Sequence, residues 1–194
     1  MQKLTRDGLM GLEEYHLERP DFRRFVMEHK ALRQIGIGPH ATLYFEDRLT
    51  IQYQIQEMLR IERIFEVDAI QEELDAYNPL IPDGNNWKAT FMIEYEDASE
   101  RALALGQLVG IEDKVWVRAG DIEAVWAIAD EDLSRSRAKK TSAVHFLRFQ
   151  FDNEFIQAVS DGAPVSIGID HAAYDYRCEA LKPAVRDALA ADLD

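Results

Sequence analysis

The sequence predicts a single-domain α+β fold: a mixed, mainly antiparallel sheet of about six strands, an N-terminal helical section and a long helix packed on the sheet. Three observations carry this. Stretches with apolar residues at every second position recur along the chain, and helix-period stretches interrupt them. Several neighbouring strand stretches are joined by short turns, which favours antiparallel pairing. The strands alternate polar with apolar residues, so one face of the sheet is expected to be less covered. With no internal repeat, low-complexity tract or linker, residues 1–194 read as one domain. Within it, 1–36 form the helical section and 40–194 the α+β core.

The elements follow in order. Leu4 to Glu18 places Leu9, Leu12 and Tyr15 at helix spacing, weakened by Gly8 and Gly11. Pro20 and Asp21 open a second helix to about Leu32, with Pro in the first turn and an acid at the positive dipole end. Gly36-Ile-Gly-Pro39 ends it. Ala41 to Asp47 alternates as a half-buried strand, and Leu49 to Phe65 carries the longest helical pattern. A short acidic helix continues from Val67 to Ala76, and Asn78-Pro79 and Pro82-Asp-Gly84 mark a loop. Lys88 to Tyr95 is a strand and Ala98 to Leu108 a helix. Lys114 to Arg118 and Ile122 to Ala129 form a hairpin about the Gly120 turn. Glu131 to Lys140 is a polar connector. Thr141 to Phe151 is the strongest strand; a short helix over 154–160, a strand over 165–170 and a helix over 181–193 complete the chain.

Composition narrows the function. Hydrophobic residues make up 47% and charged residues 30%, ordinary for a globular protein. The 22 basic side chains face 36 acidic ones, a net charge of −14. Neutralising phosphates needs a basic face, so nucleic-acid binding is excluded, and so is adhesion to anionic lipid. The excess is local: residues 67–100 hold nine acids and one base, Lys88. That segment is either a solvated face or a docking surface for a basic partner. The N-terminus lacks the apolar core of a signal peptide, and no apolar run approaches the ~20 residues that span a bilayer. A cytoplasmic protein, bound to neither membrane nor nucleic acid, is expected. The single cysteine, Cys178, lies between Asp175 and Glu179, which disfavour a reactive thiolate.

Familiar catalytic signatures are missing. There is no P-loop, dinucleotide fingerprint, Gly-x-Ser-x-Gly elbow, His-Glu-x-x-His or EF-hand loop. Glu13 and His16 give one Glu-x-x-His, where a di-iron bundle needs two.

Polar residues on apolar faces remain. His145 shares the apolar parity of Ala143, Leu147, Phe149 and Phe151. His171 follows Val165, Ile167 and Ile169 at the same parity. If these two strands pair, the imidazoles meet at one sheet end. Glu62 lies in the stripe Ile51, Ile55, Met58, Phe65 of the long helix, where an unpaired carboxylate would be costly. Glu57 flanks that stripe and His40 stands at the mouth of the first strand. A metal pocket of His145, His171 and Glu62, with His40 or Glu57 added, would suit Fe, Zn or Mn. Each residue has a plain alternative: a hydrogen-bonded core histidine, or a carboxylate paired with Arg60, Arg63 or Arg148.

Five strings carry a resemblance: Gly38-Pro-His40, Phe45-Glu-Asp-Arg-Leu49, Tyr53 to Arg60, Glu72 to Gly84 and Thr141 to Phe149. Over nearly the whole chain the sequence resembles a bacterial family of uncharacterised proteins, domain of unknown function 3501. The resemblance implies a single-domain cytoplasmic protein without an assigned activity. It also implies an association with genes for a rubrerythrin and an iron–sulfur oxidoreductase, and so with redox or peroxide metabolism. Three functions compete. One is a metal- or haem-associated accessory protein or small enzyme. Another is a non-catalytic module that forms a homodimer or docks on a redox partner through its acidic surface. The third is an enzyme using Glu57 as base and Arg60 as anion clamp.

Overall fold

The structure is a computed structural model that describes residues 2–131, 135 and 140–194. Its architecture is α+β, with two antiparallel sheets in place of one. The first sheet has the order β1-β2-β3-β7-β6 and the second β5-β4-β8-β9. The strands are β1 (Gln34–Ile37), β2 (Ala41–Phe45), β3 (Asn86–Ile93), β4 (Val115–Ala119), β5 (Val125–Trp126), β6 (Ile128–Ala129), β7 (Val144–Gln150), β8 (Val165–His171) and β9 (Tyr174–Cys178). The helices are α1 (Leu12–Ala31), α2 (Arg48–Glu62), α3 (Val67–Tyr77), α4 (Ala98–Gln107), α5 (Asn153–Ser160) and α6 (Pro183–Ala190).

Strand alternation builds the core. Leu43, Phe45, Trp87, Ala89, Phe91, Leu147 and Phe149 face inward from the first sheet, and Val115, Val117, Val165, Ile167 and Ile169 meet them from the second. Leu105 of α4, Phe155 and Val159 of α5 and Leu189 of α6 join the same apolar cluster. The sheets connect at both sides. At one, the chain passes from β5 straight into β6, and Ala127 N donates to Val115 O. At the other, the Tyr174 hydroxyl donates to Ile37 O and accepts from His40 N, each at 2.8 Å. A second, smaller cluster of Leu4, Ile51, Ile55, Leu59, Leu74 and Ile81 holds α2, α3 and the N-terminal segment together.

Three expectations change. Helix α1 runs unbroken through Pro20. Pro20 cannot donate to His16 O, but both residues are exposed, so water can serve that carbonyl. Ahead of α1, residues 6–8 form only a 3-10 turn. Gln34–Ile37 and Tyr174–Cys178 are strands that the sequence did not announce. Helix α2 packs on α1 and α3, and its Ile51 and Gln54 line a cavity of about 460 Å³ with Tyr44, Thr90 and Phe146 of the first sheet. Of the predicted polar connector, residues 132–134 and 136–139 lie outside the described residues.

Candidate functional site

Strand β7 brings His145 inward, opposite Phe91 on β3, and its side chain is fully buried. A buried imidazole needs partners for both nitrogens. Nδ1 meets Asp130 Oδ2 at 2.7 Å, and because a carboxylate only accepts, Nδ1 carries the proton. Nε2 faces Thr141 Oγ1 at 2.9 Å, Ser142 O at 3.1 Å and Glu112 Oε2 at 3.9 Å.

Each partner is delivered by a distinct local device. Asp130 follows β6 in the left-handed region, φ +49°, which Asp tolerates better than most residues. Its backbone N donates to Phe146 O, while its Oδ1 accepts from Phe146 N at 3.0 Å and from Arg135 Nη1 at 3.2 Å. One residue thus pins β6 to β7 and aims the second carboxylate oxygen at the imidazole. Glu112 sits in a 3-10 turn, Ile111–Lys114, that Gly110 opens at φ +84°. Its carboxylate is nearly buried and accepts from Thr141 Oγ1 at 3.2 Å. Thr141 is fixed in turn by its N–H, which donates to Leu105 O of α4. One ligand-capable atom from each of Glu112, Asp130 and His145 lies within 4.8 Å of the others. Two carboxylates and an imidazole, with no sulfur, form a hard to borderline donor set that fits Fe, Mn or Zn. The Asp130–Nδ1 bond is the kind of contact that fixes a ligating histidine's tautomer and leaves Nε2 for the ion.

Of the five residues singled out in the sequence, His145 alone enters this cluster. His171 is held apart, because β7 pairs with β3 and β6 while β8 pairs with β4 and β9. Its Nδ1 accepts from Ala173 N at 3.2 Å across the β8–β9 turn, and its Nε2 faces Val109 O at 3.3 Å. Glu62 is exposed, not buried in a stripe: α2 ends on it, Arg63 turns left-handed at φ +55°, and Phe65 is 66% exposed. His40 stacks on Tyr95 at 3.9 Å and faces Glu94 O, lining a separate cavity of about 800 Å³.

Glu57 is a clamp between helices. It accepts from Tyr15 Oη at 2.6 Å and from Arg19 Nε and Nη2 at 2.7 and 2.8 Å, with Arg60 of its own helix at 3.3 Å. The Arg19 fork lowers its carboxyl to about 2, against the opposing pull of burial. A carboxylate lowered by folding adds stability above its unfolded value near 4.5 and loses it as pH falls through that value toward 2. Glu57→Gln should therefore flatten the acid limb of the stability curve over that range, as read by urea melts at successive pH values. An unchanged limb would remove Glu57 as the anchor of α1.

Glu112 and Asp130 gave no signal in the sequence. Each lies in an acidic loop stretch, Glu112-Asp-Lys and Asp130-Glu-Asp, that reads as solvated surface. They reach His145 only because separate segments converge on one sheet end.

Comparison with known proteins agrees with the strings noted in the sequence. The profile of the family described as protein of unknown function DUF3501 matches residues 3–193. The chain belongs to that family. The DUF3501 chain is also 52% identical to a protein from Burkholderia pseudomallei K96243, whose crystal structure is described as that of a novel protein of unknown function. The two align over 100% of both chains with a TM-score of 0.95. No curated protein matches the DUF3501 chain. Among its described residues, no helix is long and apolar enough to cross a membrane.

Proposed function

We infer that this DUF3501 chain is a metal-binding accessory protein or small enzyme that holds a divalent cation at His145, Glu112 and Asp130. The observation behind the reading is the convergence of three ligand-capable atoms within 4.8 Å around a fully buried histidine. Two carboxylates offset a dication, and the oxygen and nitrogen donors suit Fe, Mn or Zn. Bound there, such an ion would supply Lewis acidity or, for iron or manganese, one-electron chemistry. The chain's own residues set the terms. Asp130 keeps the proton on Nδ1, which leaves Nε2, beside Thr141 and Ser142, as the atom that would meet the ion. Haem has less support, because the His145 side chain is fully buried and a macrocycle needs an open face beside its axial histidine.

The link to redox partners rests on the family resemblance. Docking through the acidic segment has less behind it, because several of its acids work internally. Asp83 pairs with Lys3 and Lys88, Glu94 accepts from Thr42 and Tyr44, and Asp97 caps α4. We read the chain as one domain, since Arg33, just after α1, pairs with Asp192 near the C-terminus.

The test is titration of the metal-free protein with Mn²⁺, Zn²⁺ and Co²⁺, followed by calorimetry and metal analysis. About one equivalent should bind, as one three-ligand site requires. Glu112→Gln and His145→Asn should each weaken binding by roughly tenfold or more. Circular dichroism separates this from unfolding. No binding by the wild type, or equal binding by folded variants, overturns the reading.

A further inference from the structure

Strand β7 has a second face. Between inward-facing His145 and Leu147 it sends Phe146 outward, and beyond Leu147 it sends Arg148 outward, toward a cleft of about 650 Å³. The opposite wall is Tyr77 at the end of α3 with Pro79 and Leu80 of the following turn. That volume is the size of a small-molecule pocket, and its body is apolar.

Its polar end is unusual. Arg148 and Lys88 are direct cross-strand partners, a like-charge pairing that strands normally avoid. The two cations are treated differently. The Lys88 ammonium has three hydrogens and three acceptors: Pro79 O, Ile81 O and Asp83 Oδ2, at 2.8, 3.0 and 2.7 Å. It is a fixed structural charge. Arg148 presents Nε and Nη2 as a fork to the Glu131 carboxylate, each bond 2.7 Å. Glu131 is 51% exposed while Arg148 is 24% exposed. An ion pair with one partner so open contributes little, so exchanging its carboxylate is cheap. Glu131 therefore occupies the place where a bidentate carboxylate of another molecule would sit, with Phe146 and Leu80 beside it.

We propose that this cleft binds a small amphipathic carboxylate. Its apolar body lies against Phe146, Leu80 and Tyr77, and its carboxylate takes the Arg148 fork in place of Glu131. The site is independent of the His145 cluster, which lies on the opposite face of β7.

The probe is 2-naphthoate, titrated into the full chain by calorimetry and by saturation-transfer NMR, with 2-naphthylmethanol as its uncharged counterpart. The expected result is saturable binding of naphthoate at one site and at least tenfold weaker binding of the alcohol. Arg148→Ala should reduce naphthoate affinity at least tenfold. Glu131→Gln should raise it several-fold, because it removes the resident competitor, and this exposed substitution leaves the core intact if Arg148→Ala fails to fold. No saturable binding, or a Glu131→Gln variant that binds no tighter than wild type, overturns the proposal.

Discussion

Arg33→Ala is expected to destabilise the protein by about 3–5 kcal/mol, the range for removing one partner of a buried ion pair. Arg33 and Asp192 are each 3% exposed. Nη1 and Nη2 grip the two Asp192 oxygens at 2.7 and 2.6 Å, and Nε lies 3.0 Å from Asp47 Oδ2. Asp47 is itself the N-cap of α2, bonded to Thr50 N and contacted by His29 at 2.5 Å. One guanidinium thus joins the end of α1, the start of α2 and the C-terminal segment. Alanine would strand the Asp192 carboxylate in a dry site, a far larger loss than the packing of one side chain. Burial already pushes Asp192 upward against the pull of Arg33. Without Arg33 it rises further, and a carboxyl raised by folding gives its stability at low pH and loses it as pH climbs through the folded value. The deficit of Arg33→Ala relative to wild type should therefore shrink on acidification. Chemical denaturation at neutral pH and near pH 5 checks both statements. The double variant Arg33→Met, Asp192→Leu should recover part of the loss, because it removes both charges together. A single variant within 1 kcal/mol of wild type would mean that water reaches Asp192.

The strands were the most legible part of the sequence, because a half-buried strand writes its two faces into alternate residues. The alternation over Thr141 to Phe151 predicts a strand with His145 on its apolar side, and β7 carries that histidine at zero exposure. Pairing was less legible. Alternation says which side chains point inward and nothing about which neighbour they meet. β7 and β8 are consecutive strands joined by α5, yet they fall in different sheets, and this separates His145 from His171. Glu62 shows a different limit. The helical period continued through it in the sequence, but the helix ended there in a left-handed turn at Arg63, a residue type that does not advertise such a conformation. The acids of the site were illegible for a third reason. A loop carboxylate reads as solvated until the fold turns it inward, and Glu112 and Asp130 lie in loops that other segments bury.

Gly168→Ala offers a sharper test of the packing, because propensity and geometry predict opposite signs. Alanine in a strand interior should stabilise by about 0.5–1 kcal/mol relative to glycine. At Gly168, however, an added Cβ would lie 2.6 Å from Trp116 Cε2 and 3.0 Å from its Nε1, and nearer still to Cζ2. Trp116 is the direct cross-strand partner of Gly168, and its indole covers the glycine as aromatic rings do where a strand lacks a side chain. The ring has little freedom to yield. It is 4% exposed, its Nε1 donates to Asp170 Oδ1 at 2.8 Å, and the Arg118 guanidinium lies 5.1 Å from the ring. Overpacking a fixed site costs about 1–3 kcal/mol, which outweighs the gain from propensity, so the net change should be destabilising. Trp116→Leu removes the obstructing ring at its own cavity cost. Combining it with Gly168→Ala should be less damaging than the sum of the two, since residues in contact couple by 0.5 kcal/mol or more. Guanidinium melts of the four proteins measure that coupling. A Gly168→Ala variant more stable than wild type would show that the indole moves aside, and the Trp116–Asp170 hydrogen bond would then not be what holds it.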